Sequence, residues 1–373
     1  MVSNYLTQNE FLPRPILLKN PSLFDGLFDE PKTKPNKAQS CKPLRSPLFY
    51  VGDKYKLMAQ LTQLFPQDIA CYYEPFCGGG SSFLNVKAKQ YRLNDIDSHL
   101  IALHNFLHSF ATNSQITQNH AQSPQNPAQI QAQNLQSHAQ NKERFFSDIF
   151  ALIKFYGLSC SLLGIIPPLP LRAAYKKTYF ARFNKDAYLK MREDFNADKS
   201  DIARLYLLLI YGFNRFLRFN AKGDFNLPVG NVDFNANVFN ALNSYFDFVL
   251  DKDIAFFNGD YKAFLARCES VEQIGTNDFI YFDPPYLISD SEYNKLWSED
   301  KEREFYAFLD ALNLKGVRFG LTNLLTHKGR HNGLLENFAR KYHCTDIVSN
   351  YISFNDNSIK KDSREIYVSN VKW

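Results

Sequence analysis

The chain has 373 residues, of which 45% are apolar and 15% aromatic (34 Phe and 21 Tyr against 2 Trp), and a formal net charge of +5. That length allows one large α/β domain with an insertion, or two domains. No stretch reaches 18 apolar residues, which argues against a membrane-spanning helix, residues 1–20 lack the apolar core of a signal peptide, and six cysteines (41, 71, 77, 160, 268 and 344) form no C-x-x-C pair, so a reduced cytoplasmic protein without a zinc site is expected.

The first 45 residues hold six prolines and read as an extended N-terminal tail, with ordered sequence beginning near Ser46. Residues 71–76 read as a buried strand, Cys77-Gly78-Gly79-Gly80 as a turn and 81–89 as a helix. A second short strand over 91–94 ends in Asp95-Ile96-Asp97, and a helix follows over 98–110. Residues 111–142 contain nine Gln and five Asn, with no Asp, Glu, Lys or Arg between Asp97 and Lys142. This stretch reads as a disordered loop insertion. Helical patterns cover 142–157, 185–196 and 201–216. Gly223 then sits between alternating runs in 217–231 as a hairpin turn would, with Pro228 favouring an edge. After a helix over 237–250 the α/β pattern returns, with strands at 254–257, 278–282, 317–321, 342–351 and 365–371.

The fold class is therefore α/β, a Rossmann-like sheet interrupted by a mostly helical segment. Its parts are 46–110, the insertion 111–142, the helical segment 143–250 with its β-hairpin, and 251–373. Residues 159–222 hold 12 Lys/Arg against 5 Asp/Glu, so the basic excess lies inside the helical segment. Such a segment fits a phosphate-contacting surface, and equally a solvated basic face. The many Phe and Tyr fit an aromatic core, with a few rings left for stacking on bases.

Open α/β sheets bind ligands at the carboxyl ends of their strands. Four loops fall there. In Glu74-Pro75-Phe76-Cys77-Gly78-Gly79-Gly80 the glycines let backbone approach a ligand, although Phe83 stands where a dinucleotide fingerprint has its third glycine. Asp95 can accept both hydroxyls of a ribose, or cap the next helix. Asp260 can accept from the amine of a cofactor adenine, or cap its helix. The most specific loop is Asp283-Pro284-Pro285-Tyr286 after a buried strand. Two prolines remove two N–H donors and leave the Asp283 carboxylate and the Pro284 carbonyl as fixed acceptors. Those acceptors can hold both hydrogens of an exocyclic amine and turn its lone pair towards the sulfonium methyl of S-adenosyl-L-methionine. Tyr286 can stack on a base flipped out of a duplex.

With these loops the chain resembles an α-group, Dam-type site-specific DNA adenine-N6 methyltransferase, from about Ser46 to the C-terminus apart from the Gln/Asn insertion. The resemblance implies catalytic roles for Asp283, Pro284 and Tyr286. It implies cofactor contacts for Tyr50 and Lys54 in Phe49-Tyr50-Val51-Gly52-Asp53-Lys54, where Asp53 replaces the family's second glycine, and for Phe76, Gly78, Gly80, Asp95 and Asp283. It makes 143–250 a target-recognition domain. There Arg218 contacts guanine, Phe213 and Asn214 fill the gap left by the flipped base, and Asn220, Lys222 and Asn231 lie at the DNA. Val229 and Asn231 stand where GATC-acting members carry Phe and a basic residue. The implied partners are double-stranded DNA and a cognate restriction endonuclease. The protein is expected to be a monomer in the cytoplasm, at the nucleoid, with no metal and no membrane contact. An RNA adenine, a cytosine-N4 amine, or a non-catalytic DNA-binding module on the same fold are the alternative readings.

Overall fold

The computed structural model describes residues 42–111, 127–289, 297–348 and 363–372, with only the backbone over 127–134. Strand β1 (Ile69–Glu74) is buried at every position but Ala70. Such a run is what a parallel strand covered on both faces requires. β2 (Ala88–Asp95) and β3 (Asp253–Asn258) pair parallel on one side of it. β4 (Phe279–Phe282) and β5 (Arg318–His327) pair parallel on the other. β8 (Arg364–Ser369) and β7 (His343–Ile347) continue the sheet antiparallel, and the two-residue β6 (Arg330–His331) pairs with β5. The order is β3-β2-β1-β4-β5-β8-β7. The chain runs from β1 outward to β2 and β3, then crosses back to β4. This reversal opens a crevice over the carboxyl ends of β1 and β4, the place where doubly wound sheets bind ligands.

Helices α1 (Met58–Leu64), α2 (Ser98–Ala111), α8 (Tyr261–Glu272), α9 (Glu299–Leu314) and α10 (Gly333–Ala339) accompany the sheet. Phe264, Phe305, Leu309 and Phe338 from the last three pack with Ile280, Phe282 and Phe319 in one apolar cluster. The helical segment consists of α3 (Pro127–Tyr156), α4 (Leu169–Ala174), α5 (Tyr179–Ala197), α6 (Ile202–Tyr211) and α7 (Ala236–Val249). It docks through α2, against which α3, α6 and α7 pack. Phe145 joins them, since its ring meets Phe106 and Phe110 of α2, Tyr206 of α6 and Phe246 of α7. Many of the Phe residues thus serve this core. The described residues from 43 onward form one compact unit. Among the described residues no helix is long and apolar enough to cross a membrane.

Several expectations change. No α-helix forms over 81–89. The Asn85 side-chain amide donates to the Ser81 and Leu44 carbonyls and accepts from the Leu44 amide. It thereby occupies the Ser81 carbonyl that a helix would use for backbone pairing. The chain makes one 3-10 turn, Phe83–Asn85, and enters β2 at Ala88. The helix expected from 142 begins at Pro127, so the second half of the Gln/Asn-rich stretch is helical rather than loop. Proline suits the first helical turn and Gln propagates a helix well; residues 112–126 lie outside the described residues. The tail expected over 1–45 lies outside them up to 41, while Leu44 is already tied to Asn85. The expected hairpin contains no regular strands. Isolated bridges Phe219–Phe225 and Gly212–Val229 hold a tight loop, closed where the Gly223 amide donates to the Asn220 carbonyl at 2.9 Å. The strand expected over 342–351 is described only as β7, since 349–362 lie outside the described residues.

Candidate active site

The loop after β1 is shaped by its glycines and held from three sides. Gly78 and Gly80 have φ of +48° and +79°, the left-handed region where a side chain is strained. A Cβ on Gly79 would stand 2.8 Å from that of Tyr50, so glycine lets segment 49–54 lie directly on the loop. The Ser46 hydroxyl donates to the Gly79 carbonyl. At the end of β2, Asp95 accepts from the amides of Gly78 (2.9 Å) and Asp97 (3.0 Å). Burial lifts its carboxyl to about 6 against the pull of those two amides. From α2, His104 Nε2 donates to the Gly78 carbonyl at 2.8 Å. Burial pushes this imidazole down to about 4, so it is neutral and must carry its hydrogen on Nε2. Phe76 packs against Tyr261, Trp297 and Phe305.

Across the crevice, β4 delivers Asp283. Its Oδ2 pairs with Lys54 Nζ at 2.8 Å. Its Oδ1 accepts from the hydroxyls of Tyr286 (2.9 Å) and Thr322 (3.1 Å). The register explains Thr322: Phe282 pairs with Leu321, so the next residues of β4 and β5 face each other. The Tyr286 hydroxyl also reaches Glu365 Oε1 at 2.8 Å, and Lys54 Nζ lies 4.0 Å from that same oxygen. Burial opposes the Lys54 charge, but Asp283 and Glu365 outweigh it and hold the ammonium above its usual value. Burial also drives the nearby Glu74 carboxyl well above its usual value.

The structure thus brings Tyr50, Lys54, Gly78, Gly80, Asp95 and Asp283 to one end of the sheet, and gives several of the expected site residues partners within the chain. Lys54, expected at the cofactor, is bound to Asp283. Tyr286, expected to offer its ring for stacking, is 9% exposed with the Lys54 ammonium 4.8 Å from its centroid. Two carboxylates draw its hydroxyl inward and the ring follows. Asp260 caps α8 by accepting from the Lys262 amide at 2.9 Å. In the helical segment, Arg218 donates to the Asn226 side chain (2.8 Å) and carbonyl (2.7 Å), bracing its own loop. Asn220 accepts from the amides of Lys222 and Asp224 and closes the turn. Asn231, expected at DNA, is engaged by the start of α5: it accepts from the Phe180 and Ala181 amides and donates to the Lys177 carbonyl. Those amides open a helix and lack intrahelical partners. Phe213 is 53% exposed, beside Asn214 and Arg215, which both take positive φ. Such backbone is uncommon outside glycine and clusters at functional sites.

Sequence reading missed Thr322, Glu365, His104 and Glu74. Thr322 and Glu365 carried a signal: each is a polar residue at an inward position of a buried strand.

A family model described as "D12 class N6 adenine-specific DNA methyltransferase" matches residues 50–150 and 168–364. The chain is 29% identical to the modification methylase StsI of Streptococcus sanguinis, over 88% of this chain and 43% of that protein. It is 26% identical to the type II methyltransferase M.FokI of Planomicrobium okeanokoites, over 94% of this chain and 47% of the other. A DNA adenine methylase of Salmonella typhi is 24% identical over 66% of each. The chain spans less than half the length of the first two relatives. With the family match covering well over half of its residues, this chain belongs to the D12 class of N6 adenine-specific DNA methyltransferases.

Proposed function

We propose that the chain transfers a methyl group from S-adenosyl-L-methionine to N6 of an adenine flipped out of duplex DNA. The observation that carries this reading is the position of Asp283-Pro284-Pro285-Tyr286 at the sheet's reversal point, facing the glycine loop across one crevice. The cofactor fits that loop. At Gly78 a Cβ would meet nothing within 4 Å, so the backbone is open to a ligand there. Tyr50, Phe76, Gly78 and Gly80 would line its site, with Lys54 near its amino-acid end, Asp95 on the ribose hydroxyls and Asp260 near the adenine. When bound, the cofactor supplies an electrophilic methyl on a sulfonium.

The chain's own residues do the positioning. The Asp283 carboxylate and the Pro284 carbonyl accept the two hydrogens of the target amine. This fixes the nitrogen and pulls its lone pair out of conjugation with the ring. Lys54 and Thr322 hold the carboxylate in place. In the helical segment, Lys176, Lys177, Arg182, Lys185, Arg218 and Lys222 are exposed and have no ion-pair partner among the described residues. They suit a phosphate backbone. Arg218 would exchange Asn226 for guanine, and Phe213 with Asn214 would fill the place of the flipped base. The relatives named as modification enzymes favour a restriction-modification role with a cognate endonuclease as partner.

Modification-sensitive sequencing of DNA from a host expressing this chain tests the reading. N6-methyladenine within one short motif is the expected result. N4-methylcytosine, or methylation of RNA with none of DNA, would refute the substrate.

A further inference from the structure

Three of the roughly four acceptor sites of the Asp283 carboxylate are already taken, including both on Oδ1. Oδ2 is held by Lys54, and Oδ1 already accepts from Thr322 and Tyr286. A target amine needs a lone pair on that same group. The Tyr286 hydroxyl has one hydrogen, yet stands within bonding distance of two carboxylates, 2.9 Å from Asp283 Oδ1 and 2.8 Å from Glu365 Oε1. It can donate to only one at a time. Glu365 is fully buried on β8, and its Oε2 has no hydrogen-bond partner among the described residues. Burying a carboxylate with an orphaned oxygen is costly and needs a reason.

We infer that Glu365 is a positioning residue: it draws the Tyr286 hydroxyl hydrogen away from Asp283 and so frees a lone pair on Oδ1, the oxygen that is otherwise full, for the target amine. The inference rests on the adenine-transfer reading above and adds to it a residue outside the Asp-Pro-Pro-Tyr loop. The bond does the work and the charge is secondary. With the hydrogen on Glu365, Asp283 keeps Lys54 and Thr322, which orient it, and loses only the competitor. With Glu365 out of reach, Tyr286 donates to Asp283 at all times, and an amine bonding to Oδ1 must displace it in every turnover.

Two variants separate bond from charge. E365Q keeps an acceptor at the same reach, with the Lys54 ammonium beside it turning the amide oxygen towards Tyr286. E365D keeps the charge but withdraws the acceptor by one methylene. E365Q should methylate DNA within about two-fold of the wild-type rate, whereas E365D should lose about ten-fold in kcat with KM for DNA and cofactor unchanged. In a Y286F background, where no hydroxyl competes, the E365D penalty should vanish. E365A should repeat E365D, so the test survives poor folding of either, which thermal melting reports. A penalty that persists in the Y286F background, or E365Q falling as far as E365D, would overturn the inference. Wild-type protein that methylates no adenine in DNA would instead sink the parent reading, while wild-type turnover with a fully active E365D sinks this inference alone.

Discussion

The crevice over β1 and β4 and the loop over 212–231 are built on opposite plans. In the crevice, functional groups are buried, mutually bonded and delivered by strand ends. Asp283, Lys54, Thr322 and Tyr286 fix one another, and Asp95 and His104 brace the glycine loop. In the loop, Arg218, Lys222 and Phe213 are exposed, and the bonds that Arg218 makes are to its own turn. A preorganised site lowers a barrier because its dipoles need no rearrangement. A recognition surface must instead exchange its own bonds for those of the ligand, so it stays accessible and weakly held.

The largest break in this contrast is D283A. It should lower methyl transfer to DNA by about 10³-fold, measured by single-turnover transfer; full activity would refute the mechanism. K54M comes next. Its side chain and that of Asp283 are 11% and 17% exposed, so removing the ammonium strands a partly buried carboxylate beside Glu365. Denaturant unfolding should show a loss of about 3 kcal/mol. The loop over 212–231, as the proposed recognition element, should answer differently. R218A should leave stability unchanged and relax discrimination at one base pair by about 1–3 kcal/mol, whereas K222A should weaken all sequences alike and reduce the salt slope by about one.

The smallest effect concerns pH. Burial raises the Asp95 carboxyl to about 6, against about 3.9 in an unfolded chain. Folding therefore favours its neutral form, and its stability contribution falls as pH rises from about 4 to 6. The proposed ribose contact needs the ionised form as a double acceptor. Cofactor affinity should thus fall by up to about ten-fold per unit below pH 6, and D95N should flatten that dependence in calorimetric titrations. An unchanged profile would remove Asp95 from the cofactor site.

The amino-acid sequence by itself determined the α/β class, the glycine turn and the Asp-Pro-Pro-Tyr loop. All are local: apolar runs, glycines and prolines act through backbone geometry within a few residues. Its misreadings were also local contests, as where the Asn85 amide takes a carbonyl from the expected 81–89 helix. The distant partners of Asp283 were decided only by tertiary structure. Lys54 lies 229 positions before it and Glu365 lies 82 after it. Thr322 reaches it through the pairing of β4 with β5, and Glu365 through the antiparallel addition of β8 to β5. Strand register is a property of the whole sheet, and a carboxylate in a strand becomes a functional group only when the sheet closes around it.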